Sequence, residues 1–214
     1  MVEIRIVIEG GIVPHENDSV MTVNNSEKLR ESFHKLLSQI FNPGSFNLII
    51  EMKGGIGKAV NSFKEYAKKD NKISLLIDLD GDKSTKAQKI INLHVEDFSK
   101  TVFFMVQEME AWILSQPEVI EKCYKDRYIR KKPNIDIVKE EHKLFKVHPE
   151  EIHKPSEKLE VILGRYYDEM KGNARKKKKY GKLKDAPLLI GNLDIYKLIE
   201  TFEDLKLLKE HFEK

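Results

Sequence analysis

The chain has 214 residues, with 38 Lys and Arg against 35 Asp and Glu, so its formal charge is only +3. With 40% hydrophobic residues, 11 Gly and 7 Pro, the composition excludes a disordered, collagen-like or low-complexity chain. A single cysteine, Cys123, excludes an internal disulfide, and no apolar run approaches the roughly 18 residues that a membrane span needs. The expected location is therefore the reducing cytoplasm, with no membrane contact.

The first half of the sequence alternates predicted strands with predicted helices. Apolar and alternating runs predict strands over residues 2–8, 46–52, 73–77 and 101–106. The intervening segments predict helices over about 26–40, from the turn at 54–58 to about 69, and over about 84–93. Ser26 is the expected N-cap of the first helix. This order is typical of an α/β fold with a mostly parallel four-stranded sheet flanked by helices.

The pattern changes after Trp112, so a boundary near Ser115 is expected. It separates an α/β metal-binding domain, 1–115, from a helical appendage with a basic segment, 116–214. Residues 125–155 are polar and weakly periodic. Helices are predicted over 117–124, from Ser156 through about 170, and near 195–201 and 203–212.

Carboxylates follow three of the predicted strands. They are Glu9 after the first strand, Asp78, Asp80 and Asp82 after the third, and Glu108 and Glu110 after the fourth. Each set alone is also compatible with ordinary loop chemistry. Because parallel strands end at one edge of their sheet, the three sets together predict an acidic site there. Oxygen ligands of this kind suit Mg²⁺ or Mn²⁺, and Gly81 is expected to make the turn that brings Asp82 round.

Two basic groups are candidates for binding phosphate. Lys53 and Lys58 flank a glycine-rich turn, 54–57, which is either an anion site at a helix start or simply a turn. The run from Arg175 to Lys184 has seven basic residues and no acid, and is either a solvated arm or a nucleic-acid contact. Its candidate contact residues are Arg175, Lys176, Lys177, Lys178, Lys179, Tyr180 and Lys182.

Several motifs resemble known families. VIEGG, LLIDLDGD and MVQEMEAWIL, with the tail YGKLKDAPLLIGNLDIYKLIETFEDLKLLKEHF, resemble the group called domain of unknown function 4276. The Glu-Gly after the first strand and the Asp-x-Asp after the third resemble the TOPRIM fold of topoisomerases, bacterial primases, and the overcoming-lysogenization-defect and M5 nucleases. The resemblance implies catalytic and Mg²⁺-binding roles for Glu9, Asp78 and Asp80. It implies that Asp82, Glu108 and Glu110 are further metal ligands, and that an ATPase partner acts beside the protein in phage defence.

The leading hypothesis is a Mg²⁺-dependent (or Mn²⁺-dependent) nuclease, or a related phosphotransfer enzyme, that acts on nucleic acid. One alternative is a non-catalytic subunit whose acidic edge and helical tail dock onto an ATPase. Another is a metal-dependent phosphatase of a small phosphoester. A homo-oligomer is compatible with each of the three.

Overall fold

The computed structural model describes residues 2–11, 20–41, 44–70 and 72–213. Its first half alternates strands and helices. The strands are β1 (Val2–Glu9), β2 (Phe46–Lys53), β3 (Ile73–Asp78) and β4 (Val102–Met105). The helices between them are α1 (Val20–Leu37), α2 (Ile56–Ala67) and α3 (Lys86–Asn92). The predicted α/β order is confirmed.

The four strands form one all-parallel sheet in the order β2-β1-β3-β4. In the central strand, Val7 lies opposite Glu51 of β2 and Leu75 of β3. Ile6 and Ile8 belong to the apolar cluster that includes α1, whereas Val7 and Leu75 belong to the cluster that includes α2. Successive side chains of a strand point to opposite faces, so both faces of the sheet are covered by helices. In open parallel sheets of this kind, ligands generally bind at the edge where the strands end.

The second half of the chain is mainly helical and carries a small antiparallel sheet, β5-β6-β7. Its strands are β5 (Ile129–Arg130), β6 (Tyr167–Lys171) and β7 (Ala174–Lys177). Its helices are α4 (Glu110–Leu114), α5 (Glu118–Tyr124), α6 (Ile137–Glu140), α7 (His142–Phe145), α8 (Pro155–Tyr166), α9 (Lys182–Ile190), α10 (Ile195–Thr201) and α11 (Glu203–Glu213). Across the described ranges, no helix is both long and apolar enough to cross a membrane.

One apolar cluster runs from the sheet into these C-terminal helices. Trp112 is 1% exposed and lies in the same cluster as residues of β1, α8, α9 and α11. Polar contacts tie α1 to the end of α9, because Ser32 Oγ donates to Pro187 O at 2.7 Å and Lys35 Nζ to Gly191 O at 2.8 Å. The C-terminal helices thus pack directly on the α/β layer, and the boundary near residue 115 stays a prediction.

The helix predicted to run through residue 170 ends at Tyr166 instead. Tyr167 begins β6, which turns at Gly172 (φ +59°) and pairs with β7. Glycine adopts this left-handed backbone without steric cost, which permits a tight hairpin. The helix prediction is wrong there because the sequence of β6 has no clear apolar alternation and its partner β7 is basic.

One further helix prediction is wrong, and one helix is absent from the predictions. Ser26 lies inside α1 and does not cap it, because the helix begins at Val20. The helix α9 was not predicted, because its start lies in the lysine-rich run and Pro187 stands in its interior. The closing helices α10 and α11 are confirmed within one residue at each end.

Candidate active site

Asp78 is the last residue of β3 and lies at the carboxyl edge of the sheet. Asp78 is 8% exposed, and its Oδ1 accepts a hydrogen bond from the backbone N–H of Met109 at 2.8 Å. Burial is the largest influence on this carboxylate and raises its pKa, against the opposing effects of Lys182 and of the Met109 N–H. Asp78 therefore joins the loop after β3 to the loop after β4.

Backbone hydrogen bonds fasten these two loops to one another. Asp80 N–H donates to Gln107 O at 2.8 Å, and Gln107 N–H donates to Gly81 O at 3.1 Å. Asp80 (φ +57°) and Gln107 (φ +61°) both adopt the left-handed conformation, which costs roughly 1–3 kcal/mol for a non-glycine residue. Asp80 makes the turn that was expected of Gly81. The strain is held by the paired loops, which fixes where their carboxylates lie.

Glu9 is the last residue of β1, and its carboxylate interacts electrostatically with that of Asp78. Its Oε2 is buried without a hydrogen-bond partner. Burial raises the pKa of Glu9, and repulsion from Asp78 and Asp80 raises it further. Gly10 (φ +121°) follows, and its N–H donates to Lys53 O at 3.0 Å, so the chain turns away directly after the carboxylate. Glu9 is thus a partly buried acid whose charge interacts with the charges of two others.

Glu110 begins α4 and is 1% exposed. Its Oε1 accepts a hydrogen bond from Tyr180 Oη at 2.7 Å, while its Oε2 is buried and has no partner. Burial raises the pKa of Glu110, repulsion from Asp78 adds to that effect, and Lys182 opposes it. A buried carboxylate oxygen without a donor is costly, and it needs a cation or a proton close by.

The cation closest to these carboxylates in the structure is Lys182, at the start of α9, and it pairs with Asp78 rather than with Glu110. Its Nζ donates to Asp78 Oδ2 at 2.8 Å, and its side chain is 46% exposed. Desolvation lowers the pKa of Lys182, but attraction to Asp78 and Glu110 outweighs it and raises the pKa overall. The sequence predicted Lys182 as a nucleic-acid contact, and the structure places it among the carboxylates. We refer to Glu9, Asp78, Asp80, Glu110 and Lys182 as the acidic edge.

The other three predicted ligands differ in how far they face this cluster. Asp80 has a 62% exposed side chain and pairs with Lys89 at 2.9 Å. Asp82 accepts from Gln107 Nε2 at 2.7 Å and lines a cleft of about 520 Å³ together with His148 and Glu150. It is therefore turned away from Asp78.

Glu108 has a structural contact as well as a charge near the site. Its Oε2 accepts from the N–H of Ser156 at 2.8 Å, in the first turn of α8, where backbone N–H groups lack helical partners. Its charge also contributes to the raised pKa of Lys182. Glu108 thus lies at the periphery of the acidic edge and fixes α8 against it.

The predicted phosphate-binding lysines of the sheet edge have separate surroundings. Lys53 lies opposite Glu9 in the β1–β2 register, but its Nζ pairs with Glu51 at 2.5 Å. Lys58 lies exposed on α2, which follows the glycine-rich turn. The cations that most affect the pKa of Glu9 are instead Lys89 and Lys182, and both lower it. The sequence did not predict a role for Lys89, because one lysine on a helix carries no motif; only the fold brings it to Asp80.

The basic run divides into surface and interior residues. Arg175 pairs with Asp168 at 2.7 Å, and Lys176 and Lys177 are exposed on the edge strand β7. Lys179 is exposed beyond the strand. Lys178, by contrast, is 1% exposed and pairs with the buried Asp185, so its ammonium does not reach a surface ligand.

The donor chemistry of the acidic edge fits an oxygen-preferring cation. Its ligating atoms are carboxylate oxygens alone, and Glu9 and Glu110 each hold a buried oxygen without a hydrogen-bond donor. Among the described residues, however, no three acidic, histidine or cysteine side chains converge as a group that could hold a metal ion. The ammonium of Lys182 occupies the outer oxygen of Asp78. The residues therefore suit Mg²⁺ or Mn²⁺ in kind, with Lys182 in the position of the cation.

Comparison with known proteins gives a family match. A family model described as a domain of unknown function (DUF4276) matches residues 27–211. Neither the curated proteins nor the solved structures contain a significant match.

Proposed function

The chain belongs to the DUF4276 family, and from its acidic edge we propose that it is a metal-dependent nuclease with a TOPRIM-like catalytic layer. The observation that carries the proposal is that carboxylates from three separate strand ends interact electrostatically at one edge of the sheet. Burial raises the pKa of Glu9, Asp78 and Glu110, and repulsion from Asp78 or Asp80 raises each of them further. Such an arrangement is costly for a fold and is common at catalytic sites.

Glu9, Asp78 and Asp80 would hold Mg²⁺ or Mn²⁺, with Glu110 as the further carboxylate at that position. A divalent cation bound there would neutralise phosphate charge and lower the pKa of a bound water. The unpartnered Oε2 atoms of Glu9 and Glu110 support this assignment, because they are oxygen acceptors with no protein donor.

Three side chains of the acidic edge and its surroundings would supply the proton acceptor, a hydrogen-bond donor and a positive charge. Glu9, whose pKa is raised by burial and by repulsion from Asp78 and Asp80, would accept a proton from a water at the strand end. Tyr180 keeps its proton, because burial and Glu110 raise its pKa, so it continues to donate to Glu110. Lys182 is a cation at the same edge that can pair with a phosphate oxygen.

A polyanionic substrate is supported by the basic residues that lead away from the acidic edge. Lys176, Lys177 and Lys179 are exposed, and the chain continues from them to Tyr180 and Lys182 at the carboxylates. Phosphate backbones bind to such lysines regardless of sequence. The substrate class we propose is therefore a nucleic-acid strand.

The wider setting rests on the sequence resemblance. We place the protein in the cytoplasm, acting in phage defence beside an ATPase encoded nearby, and as a homo-oligomer where that assembly requires it. Co-purification from the native host checks this part of the proposal. It is independent of the catalytic assignment.

The test of the activity is a cleavage assay on purified protein. Plasmid, single-stranded DNA and tRNA are incubated with Mg²⁺, Mn²⁺ or EDTA. Asp78→Asn removes the charge while keeping the shape, and is expected to reduce cleavage by about 100-fold or more. Asp126→Asn, an exposed aspartate away from the acidic edge, is the matched control and should cleave like wild type.

The same assay distinguishes the alternatives. If wild type and Asp78→Asn behave alike on every substrate and metal, the nuclease proposal fails. Turnover of a generic phosphoester alone, unaffected by changing Lys176 and Lys177, would indicate a phosphatase. A non-catalytic subunit would be indicated if wild type and Asp78→Asn both bound an ATPase and neither cleaved nucleic acid or a phosphoester.

A further inference from the structure

Lys182 reaches the acidic edge from far along the sequence. Its Nζ lies 2.8 Å from Asp78 Oδ2, across 104 residues of chain. The other oxygen of Asp78 accepts the N–H of Met109, so both oxygens are engaged. A cation that binds Asp78 through Oδ2 therefore competes with the ammonium for that oxygen.

This ammonium interacts with more than one carboxylate. Besides Asp78, its charge attracts the carboxylates of Glu9, Glu108 and Glu110. One lysine thus compensates the same residues that a divalent cation would compensate. The orphaned Oε2 of Glu110, in a residue 1% exposed, shows that compensation by Lys182 is incomplete.

The base from which Lys182 extends is rigid, whereas its side chain is half exposed. Gly181 N–H donates to Asp185 Oδ2 at 2.8 Å, and Tyr180 Oη donates to Glu110 at 2.7 Å. Asp185 in turn pairs with the buried Lys178. The backbone at the start of α9 is held on both sides of Lys182, so the side chain alone can leave the carboxylates for solvent.

We propose that Lys182 is the resident counter-ion of the acidic edge, and that a divalent metal ion binds by displacing its ammonium from Asp78. This rests on the proposed function, since it assumes that the edge takes a metal. The lysine then sets the metal affinity. When metal is scarce, its charge offsets the repulsion between the carboxylates, and when metal is present, it competes for Asp78. The displaced ammonium stays tethered at the edge, where an incoming phosphate would meet it.

The test measures Mn²⁺ binding to the full chain by electron paramagnetic resonance, without reference to activity. Lys182→Met removes the competitor and is expected to bind Mn²⁺ about 10-fold more tightly, because a positive charge is lost next to Asp78. Lys182→Arg keeps the charge and should bind like wild type. Lys179→Met, at an exposed lysine of the same segment, is the matched control and should also bind like wild type.

The outcomes separate this inference from the proposed function. Equal or weaker binding by Lys182→Met, with wild type still binding Mn²⁺, overturns the displacement and leaves the metal site standing. Binding by Lys182→Met alone supports the displacement and contradicts a metal-dependent wild type. If neither binds, both ideas are wrong.

A measurement on the wild-type chain keeps the inference testable should Lys182→Met fail to fold. Lysine labelled with ¹³C at Cε gives one signal per lysine, and Lys182→Arg identifies the signal of Lys182. Addition of Mg²⁺ should move this signal towards the position of exposed lysines such as Lys179. An unchanged Lys182 signal at saturating Mg²⁺ overturns the displacement.

Discussion

Two lysines of the same short segment, Lys178 and Lys182, each pair with an aspartate at the same N–O distance but in different surroundings. Lys178–Asp185 and Lys182–Asp78 both measure 2.8 Å. The side chains of the first pair are 1% and 3% exposed, and those of the second are 46% and 11% exposed. Burial, and not distance, thus separates an ion pair inside the fold from one that can exchange its partner.

The hydrogen bonds around the two pairs differ in the same sense. Lys178 also donates to Lys179 O and lies 5.0 Å from the Tyr128 ring centroid, while Asp185 accepts from Gly181 N–H. Other protein groups therefore supply hydrogen-bond and ring contacts to both members of that pair. Around Lys182, the carboxylates of Glu9 and Glu110 keep oxygens without donors. The first pair is therefore structural, and the second belongs to a site with unmet demand for positive charge.

The largest effect is expected from breaking the structural pair. Lys178→Met leaves Asp185 buried without its cation, and should lower the free energy of unfolding by about 3–5 kcal/mol. Urea denaturation followed by circular dichroism measures this. Lys176→Met, on the exposed strand β7, should change it by less than about 0.5 kcal/mol. Equal losses in the two variants would show that Lys178–Asp185 is not the stabilising pair.

A smaller effect is expected from the pH dependence of the acidic edge. Burial raises the pKa of Glu110 above its ordinary 4.5, so the folded protein retains a proton that the unfolded chain has released. That contribution to stability is present below about pH 4.5 and is lost as pH rises through the raised value. In metal-free buffer, the stability of wild type relative to Glu110→Gln should therefore fall with rising pH, by about 1.4 kcal/mol per pKa unit of the shift.

Urea titrations from pH 4 to pH 8 check this trend. Glu65→Gln, at an exposed position of α2, is the control, and its difference from wild type should stay flat with pH. Saturating Mg²⁺ should cancel the trend for Glu110→Gln, because a cation favours the ionised carboxylate. A pH-independent difference in metal-free buffer would contradict the electrostatic account of the acidic edge.

The smallest effect is expected on the salt dependence of nucleic-acid binding. Lys176→Ala with Lys177→Ala should reduce the slope of log affinity against log salt by about 1.4 on a single strand, which corresponds to two lost phosphate contacts. Fluorescence polarisation with a labelled single strand measures the slope. The matched control is Lys68→Ala with Lys69→Ala, two exposed lysines before β3, at the amino edge of the sheet. Identical slopes for both double variants would remove β7 from the interface.

The sequence predicted those parts of the molecule that local pattern determines. Apolar runs gave the four strands, and parallel pairing then brought Glu9, Asp78 and Glu110 to one edge, where their charges interact. The hairpin of β6 and β7 was missed, because its partner strand is basic and has no apolar alternation.

Side-chain direction at the site could not be predicted, because it depends on distant partners. Asp82 turns towards Gln107 and Glu108 towards the N–H of Ser156, 25 and 48 residues away. Lys182 was read as part of a basic run, since composition cannot reveal an aspartate 104 residues earlier. A run of like charges thus contained a surface patch, a buried pair and the counter-ion of a site.

A crystal structure of the wild-type chain with Mn²⁺, located by its anomalous scattering, tests the central claim most directly. The account predicts an ion ligated by Asp78 with Glu9 or Asp80, and the Lys182 ammonium withdrawn from Asp78 Oδ2. An ion-free acidic edge at saturating Mn²⁺, with Lys182 still on Asp78, would contradict it.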